Sequence, residues 1–221
     1  FNTRGKTILV NSKNRISFFS KDGNYIREIN GIGGGRDFFP LPGNRYSGNH
    51  SWTGEDGKRY SGIYIYNKDF KKSVELLKAE SIVQAGKGWH LFSVTYNQHV
   101  ECGGKIFTAS GTEFEIGVFD AQTGKKLEPI GVQYRRAAFS PEHKKTVLDH
   151  YKIHPNTKME YDWWKKNIHF PDHFPAIRTL LTDGTYIYIR TYEENSNGHL
   201  FYLFKTGNRA PKKVFLPIAP S

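Results

Sequence analysis

Cys102 is the only cysteine in the 221 residues. A single thiol excludes an intramolecular disulfide and any zinc site built from several thiolates, and it fits best as a small buried hydrophobe. Methionine is equally scarce, with Met159 alone. No apolar run approaches the roughly 20 residues a helix needs to cross a bilayer, and no charged-then-apolar leader stands at the start, so a soluble domain is expected. The chain opens with Phe1 instead of Met, which points to an upstream segment lost by signal processing or truncation. Also missing are a nucleophile elbow, a histidine-glutamate zinc helix and a carboxylate pair assignable to one structural edge. Long helical stripes, heptads and low-complexity tracts are absent too, which disfavours a helical bundle.

What the chain does have is aromatic and turn-forming residues. Aromatics make up 15%, and 22 Gly and 10 Pro are spread along the length, a composition that favours many short strands joined by tight turns. One pattern recurs five times: apolar, spacer, apolar, aromatic, polar. It begins at Ile16, Ile63, Ile116, Tyr161 and Phe201. The spacing matches the roughly 40 to 50 residues of a four-stranded propeller blade. The fold class expected is therefore all-β, a β-propeller of four-stranded antiparallel blades with five repeats visible, at approximately 1–30, 31–79, 80–130, 131–170 and 171–221 of one domain.

Local signals agree best in the first repeat, where stretches 7–10, 15–19 and 25–29 are β-prone and Asp22-Gly23 offers a hairpin turn. Gln122-Thr123-Gly124-Lys125 and Thr206-Gly207-Asn208 repeat that device. In the stretch 185–192 side chains alternate, with Ile187 and Ile189 on one side and two tyrosines on the other, and burial on both sides is expected. The second repeat is irregular because 44–60 is polar and Gly-rich where a strand should begin. The fourth is weakest: 142–153 reads as a strand pair, whereas 160–166 reads equally as a strand or a short helix.

The opening repeat resembles the NHL family of propeller repeats. Ile8, Val10, Asn14, Arg15, Ile16, Phe19, Asp22 and Gly23 carry the likeness, followed by Gly31, Gly33, Gly35, Phe38 or Phe39, and Pro42-Gly43. It covers about a fifth of the chain, and the whole is similar to divergent six-bladed propellers of the NHL or TolB-like kind, mostly secreted or envelope proteins. The resemblance implies architecture and a binding habit, and leaves chemistry open. Five repeats against six blades leave two expectations: a missing upstream piece, or a five-bladed ring closed by lending 213–217 to the first sheet.

Propellers of this kind bind ligands at one channel mouth, on links from the outer strand of one blade to the inner strand of the next. Those links are expected near 31–45, 80–89, 131–139 and 167–175. They carry Arg36, Arg45, Lys87, Trp89, His90, Arg135, Arg136, His169 and His173, which on converging would form a cationic cup for phosphate, carboxylate or an acidic sugar. Ordinary polar loops are the competing reading.

His150 and His154, like His169 and His173, are four apart, but the neighbouring prolines point to extended chain, which sets the members of each pair roughly 13 Å apart. Surface histidines are the default, with Asp149, His150, Asp172 and His173 the set to watch; no metal and no cofactor is assigned. The glycines from Gly31 to Gly35 lack the lysine and following helix of a phosphate loop. Trp163-Trp164, beside Lys165 and Lys166, reads as a stacking platform or as packing between blades.

The net charge of +11 fits an anionic partner such as nucleic acid, an acidic glycan or a phospholipid surface, or serves solubility alone. The leading expectation is a non-catalytic recognition or scaffold module, extracytoplasmic or secreted, that binds a protein, peptide or anionic glycan at the channel mouth. The alternatives are a propeller hydrolase or lyase with a histidine and acid site, and an RNA-binding NHL-type domain.

Overall fold

A computed structural model describes residues 2–4, 7–12, 15–32, 35–81, 89–90, 97–109, 113–208 and 210–217. Among them are four antiparallel meanders of four strands each, every strand paired with its sequence neighbour. Blade 1 holds β1 (Asn2–Arg4), β2 (Thr7–Ser12), β3 (Arg15–Ser20) and β4 (Tyr25–Asn30). Blade 2 holds β5 (Gly35–Leu41), β6 (Arg45–Thr53), β7 (Arg59–Tyr66) and β8 (Lys72–Ser81). After the two-residue β9 (Trp89–His90) comes blade 3, with β10 (Gln98–Cys102), β11 (Lys105–Ala109), β12 (Glu115–Asp120) and β13 (Lys126–Gly131). An excursion then carries helices α1 (Pro141–Ile153) and α2 (Tyr161–Asn167) and the short β14 (Ile168–His169). Blade 4 closes the order with β15 (Thr179–Thr182), β16 (Tyr186–Asn195), β17 (Gly198–Lys205) and β18 (Lys212–Leu216).

The first strands are inner strands, because β1 lies against β5, β5 against β10 and β10 against β15. Gln98 brackets the last of these contacts: its Nε2 donates to the Arg178 carbonyl at 2.9 Å and its Oε1 accepts from the Leu180 amide at 2.6 Å. Apolar side chains fill the wedges. Leu9, Ile16 and Phe18 meet Phe38, Tyr46, Tyr64 and Phe70 between blades 1 and 2. Leu41, Ile63 and Ile65 meet Ile106 and Phe119 between blades 2 and 3, and Val100, Ile116 and Val118 meet Leu180, Ile187 and Tyr202 between blades 3 and 4. Meanders arranged about their inner strands, with cores between successive sheets, make this an all-β propeller.

The recurring pattern marks the third strand of every blade: Ile16 on β3, Ile63 on β7, Ile116 on β12 and Phe201 on β17 are all buried. Each such strand has sheet neighbours on both sides and packs toward adjacent blades, so it needs apolar and aromatic residues close together. A left-handed residue follows it at Gly23, Phe70, Gly124 and Gly207 in turn, as the tight turn into the fourth strand demands.

The instance at Tyr161 is an α-helix, so the stretch 131–170 is not a blade. No glycine follows it within the turn distance, and neither helix of the excursion buries a residue. The stretch 142–153, read as a strand pair, is α1. Ser140 caps it by accepting from the His143 amide, Pro141 supplies the fixed first-turn geometry, and Pro155 follows its end. Three further expectations are revised. The polar stretch 44–60 contains a full strand, β6. β18 completes blade 4 by pairing with β17 and is not lent to the first sheet. Strand β16 buries Ile187 and Ile189 on one face, while Tyr186 on the other is exposed. Among the described residues no helix is long and apolar enough to cross a membrane.

Candidate functional site

In a four-stranded meander, the link into the first strand and the turn between the second and third lie at one end. The other two turns lie at the opposite end. Arg45 opens β6 directly after the turn from β5, at the end away from the links. Its guanidinium donates to the Pro42 carbonyl (3.2 Å), the Ala121 carbonyl (3.1 Å) and the Gln122 carbonyl. It therefore latches blade 2 to the β12–β13 turn and is committed there.

The linking end brings several of the other expected residues into two small ladders. The backbones of β9 and β14 run parallel, with Trp89 opposite Ile168 and His90 opposite His169. His173 bridges Ala138, and the Phe139 amide donates to the Asp172 carbonyl at 2.8 Å. Arg135 and Arg136 are exposed just before that bridge, and the His169 and His173 side chains are exposed as well. Arg36 lies on β5, its backbone opposite Asn49, and Lys87 is outside the described residues. His150 is inside α1 and His154 is its C-cap, so helix and not a run of extended chain joins the pair; their rings are 4.9 Å apart. Asp149 is paired with Lys145 at 2.8 Å and sits on a different element from Asp172 and His173.

A polar seam not found from the sequence lies between blades 2 and 3, running from the linking end at Ser61 and Asn97 into the middle of the blades at Asn49 and Ser47. Along β7, Ser61 shares a face with Ile63 and Ile65, which pack toward blade 3. On β6, Ser47 stands opposite Ile65 and Asn49 opposite Ile63, on that same face. Blade 3 answers with Thr108, one alternation from the packed Ile106, and with His99 directly opposite Thr108. Asn97 precedes β10. All six polar residues are buried, Ser47 completely and His99 to 4% exposure. At the upper rim an irregular register between Arg36 and Phe39 lifts Asp37 out at φ 53°, and its carboxylate accepts from Asn49 Nδ2 at 3.0 Å.

The seam is only partly satisfied. Asn97 Nδ2 donates to Ser61 Oγ at 3.0 Å, but Ser47 Oγ, Asn49 Oδ1, Asn97 Oδ1 and both ring nitrogens of His99 close no well-formed protein hydrogen bond, the Ser47 main chain only approaching the His99 ring. Burial pushes the His99 imidazole down to about 4; the Asp37 carboxylate and the Ser47 main chain favour its charged form but do not prevail. The ring is therefore neutral at neutral pH, one nitrogen a donor and the other an acceptor. Buried polar atoms without partners are uncommon, and five on one seam mark a place for water or for a ligand's polar group. Most of them are acceptors, and Asp37 adds a carboxylate, so the seam is suited to groups that donate hydrogen bonds. The polarity of 44–60 was the sequence signal: β6 puts Ser47 and Asn49 where a core strand would carry valine or isoleucine. Among the described residues no three His, Cys, Asp or Glu side chains gather as a metal site.

No family model matches the chain. No curated protein matches it either. Among solved structures it is similar to the β-propeller domain of the Trilobed protease from Pyrococcus furiosus, at 11% identity over 98% of this chain and 56% of that one, with a TM-score of 0.47. It is also similar to a candidate exported protein from Bacteroides fragilis (8% identity, 95% and 55% covered, TM-score 0.45) and to Kluyveromyces lactis Hsv2 (10% identity, 99% and 63% covered, TM-score 0.40). The chain thus spans just over half the length of the first two. What makes it a propeller is its own four meanders and the order of their inner-strand contacts.

Proposed function

We propose that the protein is a non-catalytic recognition module that holds a peptide or protein segment at the linking end of its blades, where a donor-rich side chain such as lysine, arginine or a primary amide enters the seam between blades 2 and 3. The observation that carries this reading is the set of five unpartnered buried polar atoms on Ser47, Asn49, Asn97 and His99. A carboxylate and two amide oxygens attract N–H donors and repel anions, which favours a peptide over the anionic glycan also expected from the sequence. An extracytoplasmic setting belongs to the same reading.

Selection from a phage-displayed peptide library, followed by calorimetry on the winners, tests it. Peptides rich in Lys, Arg, Asn or Gln should be enriched. Ser47→Ala, which breaks no bond in the free protein, should weaken them about five- to tenfold, the equivalent of one lost hydrogen bond. Selection of acidic peptides, or tight binding of a heparin octasaccharide unaffected by Ser47→Ala, would sink the reading.

A further inference from the structure

The excursion between blades 3 and 4 is a helical hairpin fixed at its base and bare at its tip. At the base, Phe139 packs on Phe174 at 4.8 Å, the His143 ring meets Phe174 at 4.9 Å, and Phe174 stacks on Tyr192 of blade 4 at 4.5 Å. Within the hairpin, Tyr151 of α1 stacks on Trp164 of α2 at 4.8 Å and 15°, and Thr157 Oγ1 donates to the Tyr151 carbonyl at 2.9 Å. The tip is thus held in shape and in place. Yet it presents Ile153 at 75%, Met159 at 93% and Trp163 at 51% exposure, three of the large apolar side chains that the fold leaves most open to solvent.

Charge lies along the hairpin. Lys152 and Lys158 flank the tip and Lys165 and Lys166 follow in the last turn of α2; all four are exposed and make no ion pair among the described residues, whereas Lys145 on α1 is paired with Asp149. Glu160 and Asp162 also lie at the tip and oppose the lysines in part. Met159 and Trp163 line a broad, open hollow together with Glu160, Asp162 and Trp164, and so open a surface gives an extended peptide little to grip. The exposed apolar side chains fit a surface that yields to them, and the interfacial layer of a bilayer accepts Trp, Met and Ile while anionic headgroups meet the lysines.

We propose that the hairpin tip is a peripheral membrane anchor, seating Ile153, Met159 and Trp163 in the interfacial region of a bilayer that contains anionic lipid. The apolar contact is shallow and the lysines supply the rest of the affinity, so binding is reversible and salt-dependent. This anchor is separate from the seam between blades 2 and 3, and neither proposal needs the other.

Co-sedimentation of the whole protein with vesicles tests it, with phosphatidylcholine alone compared with a phosphatidylcholine and phosphatidylserine mixture. The protein should partition onto the mixed vesicles, with tryptophan emission shifted to shorter wavelength, and leave them as salt is raised. Lys165→Glu with Lys166→Glu should lower partitioning more than about tenfold, since each basic residue contributes about fivefold. Met159→Ser with Trp163→Ser should lower it and abolish the emission shift. Met159→Leu with Trp163→Phe should retain partitioning. All variants should melt with the parent, because none of these side chains is buried in the propeller. The proposal is overturned if the protein ignores the mixed vesicles at low salt. It is equally overturned if the serine variant binds like the parent, or if the apolar tip proves to be covered by a second copy, seen as a concentration-dependent dimer that the serine variant loses.

Discussion

His99 is the residue at which stability and acidity meet. Its folded-state pKa lies at about 4 against an ordinary 6.5. As pH falls through 6.5 the unfolded chain takes a proton that the folded chain refuses, so stability is lost between about pH 7 and pH 4 and levels off below. The loss should reach about 3 kcal/mol, and urea midpoints at pH 7.5 and pH 4.5 measure most of it. His99→Gln should flatten that dependence. His50, which burial also lowers, and His199 contribute in the same direction and leave a smaller slope. Phe70 shows a different compromise. It takes φ 57° where the other blades place glycine, and its ring stacks on Tyr46 at 4.3 Å and meets Phe38 at 5.2 Å. Phe70→Ala should cost about 3 to 5 kcal/mol in chemical denaturation. Phe70→Gly should cost no more despite the further deletion, because glycine accepts the left-handed backbone.

Elements differed in how plainly their residues announced them. The third strands were legible because burial from both sides forces apolar and aromatic residues into a short span ahead of a turn. Strand β6 was hidden by the feature that makes it interesting, the buried Ser47 and Asn49. The helices were obscured by a five-residue coincidence at Tyr161, although Ser140-Pro141 and Pro155 frame α1 in the manner of helix ends. No part of the seam was legible as a unit, since Asp37 on β5, Ser47 and Asn49 on β6, Ser61 on β7 and His99 on β10 come together only through pairing across two blades. Turn geometry gives a clean comparison. At Gly198, with φ 120°, an added Cβ would meet the Leu216 carbonyl oxygen at 2.2 Å, whereas at Gly57, with φ 73°, nothing lies within 4 Å. Gly57→Ala should cost about 1 kcal/mol and Gly198→Ala clearly more, by thermal or urea melts.

At the level of the whole molecule, the wedge between blades 3 and 4 is the richest in apolar residues among the described residues, while that between blades 2 and 3 is part polar. Hydrogen exchange should accordingly be slowest in β11, β12, β16 and β17, and β6 and β10 should exchange earlier along their shared seam. Uniform protection across all four blades would contradict that ranking. The two helices should be dispensable to this hierarchy, because no residue within them is buried. At the end opposite the links, the Arg45 latch meets blade 3 through carbonyl oxygens of the β12–β13 turn. Every amino acid supplies such an oxygen. Side chains at Ala121 and Gln122 are therefore spared by this joint, while position 45 is held to a flat cation with several donors. In a saturation library scored for folding, Gln122 should accept wide replacement and Arg45 should reject even lysine, so mutational freedom across one contact is lopsided.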